Sequence, residues 1–230
     1  MRAEPRAVMT SIRRLLIGAV LVACTVLPAR AAVGSAFDRL MENWNQLHDY
    51  TMTIDAHEVL GDRTADNVLR YAFRKPDRAR LDVVAGTQNG ATMVWSGGDR
   101  VMGYHRALSL FKMHGDMHDK MLTSLRGNDI LSPNLGDIVD CFGKHRDRIQ
   151  EREGPQVEGE ATTELRLPYT DITCPNDPPA DKDVTLDVLD VSKRTGFIVE
   201  RERFAGETLV EHWQLKDFKA DIGLADADLK

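Results

Sequence analysis

Cysteine is scarce in this 230-residue chain: Cys24, Cys141 and Cys174 are the whole complement, with no CxxC spacing among them. That leaves little for a zinc site or a thioredoxin-like redox centre, which draw on closely spaced thiolates. Aromatic residues make up only 6%, and no run of lysine and arginine occurs. Catalytic signatures are missing as well. There is no GxSxG elbow, P-loop, HExxH pair or GxGxxG after a strand, so no common nucleophile, phosphate, metalloprotease or dinucleotide site can be placed, and no cofactor is expected. The formal charge is -6, but residues 1–31 hold five arginines and one acid; beyond them 25 basic and 35 acidic side chains leave a net of -10. A net-acidic body without a basic stripe excludes nucleic acid as a partner.

The longest apolar run, residues 15–27, has 13 positions, short of the roughly 20 that span a bilayer as a helix. It follows Arg13 and Arg14 and precedes small residues at Ala29 and Ala31. This order is that of a secretory signal peptide over residues 1–31, cleaved after Ala31 to give a periplasmic protein. Two alternatives stay open. Residues 21–24, LVAC, fit a lipobox that would make Cys24 a lipidated, membrane-anchored first residue, and Arg13-Arg14 followed by two leucines loosely resembles a twin-arginine signal. Export would leave Cys141 and Cys174 as the only mature cysteines in an oxidising compartment, and a disulfide between them is predicted.

Residues 32–230 read as one domain. Phe37, Leu40, Met41, Trp44 and Leu47 recur at helical spacing. From Tyr50 the period changes to two: Tyr50, Met52, Ile54 and Ala56 alternate with polar residues. Residues 61–67 read as a turn. Leu69, Tyr71 and Phe73, then Ala79, Leu81 and Val83, continue the alternation on either side of Pro76-Asp77, with Arg70, Arg74, Arg78 and Arg80 on the opposite phase. Short strands follow at 91–95 and 100–105. SGGD at 96–99 reads as a hairpin turn, although it contains a serine. The pattern then turns helical over 115–150, with one stripe at Met117, Met121, Leu122 and Leu125 and a second at Leu135, Ile138, Val139 and Phe142. Residues 151–160 and 174–183 read as surface loops, and strands return at 162–167, 184–191, 197–204 and 208–216. The fold class predicted is α+β: a single curved antiparallel sheet, a half-barrel, with helices covering its concave face.

Two clusters suggest sites. HGDMHDK places His114 and His118 four apart with Asp116, Asp119 and upstream His105 near; such spacing can hold a metal on a helix, yet Gly115 favours a helix start after His114, and no metal is predicted. Met93, Met102, Met113, Met117 and Met121 fall within 29 residues. Methionine is flexible and polarisable, suited to a cavity of variable content or to an irregular core.

Three segments carry a resemblance. FRKPDRARLDV at 73–83, with Phe73, Lys75, Pro76, Arg78 and Arg80, WSGGDRVMGYH at 95–105, and LKDFKADIGLADADLK at 215–230, with Phe218, Ile222, Gly223, Leu224 and Asp226, are similar to the periplasmic lipoprotein-carrier superfamily typified by LolA and LolB. An uncharacterised exported branch known as DUF1571 is similar too. The Cys141–Cys174 bridge and the elaborate helical insert depart from the general pattern. The resemblance implies a non-enzymatic carrier of lipid or lipoprotein acyl chains serving outer-membrane biogenesis, in only transient contact with a membrane. Its cavity would be lined by Tyr71, Phe73, Leu81, Val83, Met93, Met102, Met117 and Met121, under a helical lid hinged at Gly127-Asn128 and Pro133-Asn134. A carrier must hide each methylene, worth about 0.8 kcal/mol, so a fourteen-carbon chain involves roughly 10 kcal/mol. Fold does not fix ligand. A regulatory module binding another envelope protein, or an enzyme working through His105 or His118, are the other readings.

Overall fold

The computed structural model describes residues 34–108, 112–174 and 177–230. The signal-peptide expectation and Cys24 therefore lie outside the described residues. From Gly34 onward the chain is one compact unit.

Its opening helix, α1 (Ala36–Gln46), is started by Ser35, whose hydroxyl accepts from the Asp38 amide at 3.1 Å. The apolar stripe turns Phe37 and Leu40 into the core. Six strands follow: β1 (Asp49–Leu60), β2 (Arg63–Arg74), β3 (Arg78–Gly86), β4 (Ala91–Trp95), β5 (Arg100–His105) and β6 (Met113–Asp116). After α2 (Leu135–Lys144) come β7 (Gln150–Val157), β8 (Glu160–Pro168), β9 (Leu186–Ser192), β10 (Ile198–Ala205) and β11 (Thr208–Ala220).

All pair antiparallel in one open half-barrel ordered β6-β5-β4-β3-β2-β1-β11-β10-β9-β8-β7. The first meander runs outward from β1 to β6, and the second runs inward from β7 to β11, which closes on β1. Residues 117–149 must therefore travel from one edge of the sheet to the other. This crossing segment carries α2 over the inner face, and it explains why a helical insert sits between two blocks of strands.

The period-two alternation places Tyr50, Met52, Ile54 and Ala56 on that inner face, buried. Across the register they face Phe73, Tyr71, Leu69 and Asn67. Both helices pack here. The Leu135 amide donates to the Tyr50 hydroxyl at 3.1 Å, and a Cβ on Gly136 would lie 2.4 Å from Trp44 Cζ2, so glycine lets α2 come close against α1. Lys75 stands over the Trp44 ring at 3.8 Å. On the outer face Arg74 holds the Leu224 carbonyl and Asp226, and Arg80 holds Asp82 and the Lys230 carbonyl. Two of the segments that carry the family resemblance thus meet each other.

Three local expectations need correction. The predicted helix over 117–125 does not form. Asp116 Oδ1 accepts from the His118 amide, and Asp119 Oδ1 from the Met121 amide, both at 2.9 Å; these local side-chain turns take the amides that a helix would need. His114 lies in β6, so it and His118 do not share a helical face. Residues 151–160 are mostly strand: β7 is an edge strand exposed along nearly all its length, so it lacks the apolar alternation that would reveal it, and Pro155 sits at its irregularity, where an edge tolerates proline. At 61–67 only Gly61 and Asp62 turn, with Gly61 at φ 64°, and Arg63 already pairs with Leu60.

Candidate functional site

One cross-strand row organises the inner face: Met52, Tyr71, Leu81, Met93, Gly103 and Met113 stand opposite one another in succession from β1 to β6. At the β1 end the row is packed. Tyr71, Phe73, Leu81 and Val83 are at most 3% exposed, in the common core. A gap of about 40 Å³ lies there, bordered by Leu69, Leu81, Val83, Met93 and Trp213, room for no more than about three waters.

Towards the β6 edge the row opens. An apolar trough of about 350 Å³ lies over Ala91, Met93, Gly103 and Met113 and beneath Met121 and Leu122. Glycine makes the hollow. A Cβ on Gly103 would lie 2.7 Å from Leu122 Cδ2, and a Cβ on Gly115 would lie 2.7 Å from Cδ1. The Leu122 side chain is thus seated in the space that two side chains would fill. Met113 and Met121 form the rim, 50% and 70% exposed.

The crossing segment is held over this face by a buried polar cluster. Glu58 and Glu211 pair across β1 and β11. Both accept from Asn128 Nδ2, at 2.8 and 2.5 Å, and Glu58 also accepts from the Arg126 amide at 3.1 Å. Arg126 in turn donates to the carbonyls of Val59 and Ala180 and to Asp183. Next to Glu211, Arg203 reaches Asp181 and Asp177, and Arg201 grips Asp187 at 2.7 Å. Burial pushes the Glu211 carboxyl up to about 7, against the pull of Arg203 and Arg201. Such a cluster fixes one arrangement of the segment, because separating any pair leaves a polar or charged group without a partner away from water. A disulfide joins Cys141 in α2 to Cys174, Cα to Cα 5.3 Å, and so fastens the crossing to the 169–183 loop.

Beyond Ser124 a second cavity, of about 690 Å³, is bordered by Leu60, Arg63, His118, Lys120, Leu125 and Arg126. A third, of about 790 Å³, lies on the outer face under the C-terminal tail, among Thr51, Thr53, Arg70, Arg80 and Lys219. Its lining mixes polar and apolar side chains, Ile222 and Leu224 among the latter, and its Arg80 is already gripped by Asp82.

The predicted lining is therefore divided. Tyr71, Phe73, Leu81 and Val83 are packed core; Met93 borders both the gap and the trough; Met117 is buried; Met121 is at the rim. Met102 faces the other way. It stands opposite Val94, which stands opposite Arg80 on the outer face. In VMG at 101–103 two adjacent apolar residues hide the phase, and the inner positions are Val101 and Gly103. Gly103 and the Glu58–Glu211–Asn128 cluster were not foreseen, and Leu122 was expected only as one of a helical stripe over the cavity. Glu58 carried a signal, since it continues the phase of Tyr50, Met52, Ile54 and Ala56 and is a carboxylate on an apolar face. Among the described residues no three His, Cys, Asp or Glu side chains converge as metal ligands do. His105 Nε2 lies 3.0 Å from the Asn89 carbonyl, and His118 Nδ1 lies 3.3 Å from Asp129.

No family model matches the chain, and no curated protein matches it in sequence. Solved structures do. The chain is similar to a DUF1329 family protein from Desulfovibrio piger, at 13% identity over 85% of this chain and 95% of that one, with a TM-score of 0.43. It is similar to a LolA superfamily protein from Nitrosomonas europaea, at 9% identity over 85% and 96%, with a TM-score of 0.41. It is also similar to the Pseudomonas aeruginosa MucA/MucB complex, at 16% identity over 86% of this chain and 61% of that one, with a TM-score of 0.45. The LolA superfamily is the one that the segments at 73–83 and 215–230 resemble. At these values the likeness is one of chain path and carries nothing about ligand or activity.

Proposed function

We propose that residues 32–230 form an exported, non-enzymatic binding protein of the periplasm that shelters the apolar chain of a lipid or lipoprotein on the inner face of its half-barrel. The observation that carries this reading is the trough above Met93 and Gly103: about 350 Å³, apolar on nearly every side, and open at a methionine rim. Its volume falls at the lower end of ordinary ligand pockets and suits a single chain. A bulkier occupant requires Leu122 to leave the Gly103–Gly115 hollow and the trough to merge with the gap beside Leu81. Methionine at both floor and rim allows the lining to follow a flexible guest.

A second reading is favoured by one feature. β6 is a short edge strand, and Met113 at its start is half exposed, which would suit an extended segment of an envelope protein adding itself to the sheet. Mass spectrometry of organic extracts from protein purified out of the envelope separates the two. The carrier reading expects a bound acyl compound at a fixed ratio to protein; an extract without lipid, together with no binding of an acyl probe, favours the protein-binding module.

A further inference from the structure

The three inner cavities are arranged around one stretch of chain. Gln88 and Met93 border both the apolar trough and the 40 Å³ gap, and Ser124 borders both the gap and the 690 Å³ cavity. Residues 117–128 pass between them, presenting Met121 and Leu122 to the trough and His118, Lys120 and Thr123 to the far cavity. Along β1 the route leads from Ala56 at the gap to Leu60 at the far cavity, four residues or roughly 13 Å.

The far cavity differs in charge from the rest of the molecule. Among the described residues its border holds Arg63, Lys120 and Arg126 against Asp177, while His118 stands 3.3 Å from Asp129. Asp177 is matched by Arg203 at 3.1 Å and also accepts from the Tyr169 hydroxyl and the Cys174 amide. Arg126 is committed to Asp181 and Asp183, yet its buried Nε–H has no acceptor among the described residues. Among the described residues neither Arg63 nor Lys120 has an ion-pair partner. Two uncompensated cations beside a cavity, in a body of net charge -10 beyond residue 31, form a local positive field that a neutral guest would not use.

We propose that the ligand is an anionic amphiphile whose single apolar chain runs from the trough over Met93 through the gap beside Ser124, which widens as Leu122 leaves its glycine hollow, and whose charged head is taken up at Arg63 and Lys120. This rests on the carrier reading and narrows it, because the head must bear a carboxylate or a phosphate. A fatty acid and a lysophospholipid share that chemistry, and a neutral chain does not.

The test compares myristate, myristoyl lysophosphatidylglycerol and 1-tetradecanol on the intact exported protein at low salt, by displacement of a fluorescent acyl probe. The same series is run on the Arg63→Gln/Lys120→Gln double variant, whose fold is checked by circular dichroism. The expected result is that at least one anion binds the wild type about tenfold more tightly than tetradecanol, as two charge-assisted contacts allow, and that the advantage vanishes in the variant. Which anion gains identifies the head. Equal binding of all three compounds, or an anion preference that survives in the variant, overturns the head site and leaves the carrier reading standing. Binding of none overturns both.

Discussion

Glu58 on β1 and Glu211 on β11 stand directly opposite one another, and a single amide nitrogen, Nδ2 of Asn128, donates to both, at 2.8 and 2.5 Å. Two carboxyls so placed share one donor, and the second oxygen of Glu211 is buried without a partner. Removing charge from one of them relieves the arrangement, and burial, which raises the Glu211 carboxyl to about 7, favours a proton there below that pH. The groups facing Glu211 are Glu58 of β1, Arg201 and Arg203 of β10, and Asp181 of the loop, with Asn128 from the crossing segment. The crossing segment is therefore clasped to the sheet by a contact that depends on protonation.

The pH dependence follows from the direction of the shift. The Glu211 carboxyl is raised to about 7 from an ordinary 4.5. Its contribution is fully present below the unfolded value and is lost as pH rises through about 7. Melting temperatures of wild type and Glu211→Gln, taken between pH 5 and 8, should diverge in favour of the variant as pH rises, since glutamine keeps the neutral shape. Parallel profiles would refute the protonated clasp.

The disulfide gives a simpler prediction. Labelling of the denatured, unreduced protein should find neither Cys141 nor Cys174 free. Reduction should then cost about 4 kcal/mol in urea unfolding, as expected for a loop of this size. Two labels per chain would contradict the bridge.

Leu122 and its glycine hollow should control the size of the guest. Leu122→Ala removes the plug between Gly103 and Gly115 and should admit longer or branched probes, at a cost of about 2 kcal/mol or more in stability. Gly103→Val fills the trough from below and should weaken a fourteen-carbon probe by more than tenfold while the protein still melts cooperatively. Unchanged affinity in both variants would place the guest elsewhere.

A charge at the rim reports on binding where a charge in the core cannot. Leu81 is 3% exposed, so Leu81→Asp buries an unpaired carboxylate and unfolds the domain. Met113→Asp, at a half-exposed position, should leave the melting temperature within a few degrees of wild type and reduce probe affinity. Full affinity in Met113→Asp would argue against entry over this rim.

What the sequence made legible was decided by how each residue meets water. Strands β1 to β3 face core on one side and solvent on the other, so Tyr50 to Ala56 and Tyr71 to Val83 spell out their alternation. β7 meets water on both sides and is silent. The stretch from Met117 to Leu125 carries a helical spacing of apolar residues, but Asp116 and Asp119 divert the amides, and periodicity alone does not register that competition. The site was half legible for the same reason. Met93 and Met121 declared themselves by type, whereas the hollow is made by what Gly103 and Gly115 lack, and its clasp by Glu58 and Asn128, more than sixty positions apart.

The central claim is that an acyl chain lies over Met93 and beneath Leu122. Photolysis of a diazirine-bearing fatty acid bound to the intact protein, followed by peptide mass spectrometry, locates the chain. Labels concentrated in peptides containing Met93, Met113, Met121 and Leu122, and displaced by unmodified myristate, are the predicted result. Labels confined to the outer-face peptides containing Thr51, Arg70 or Lys219, or no displaceable label at all, would contradict the claim.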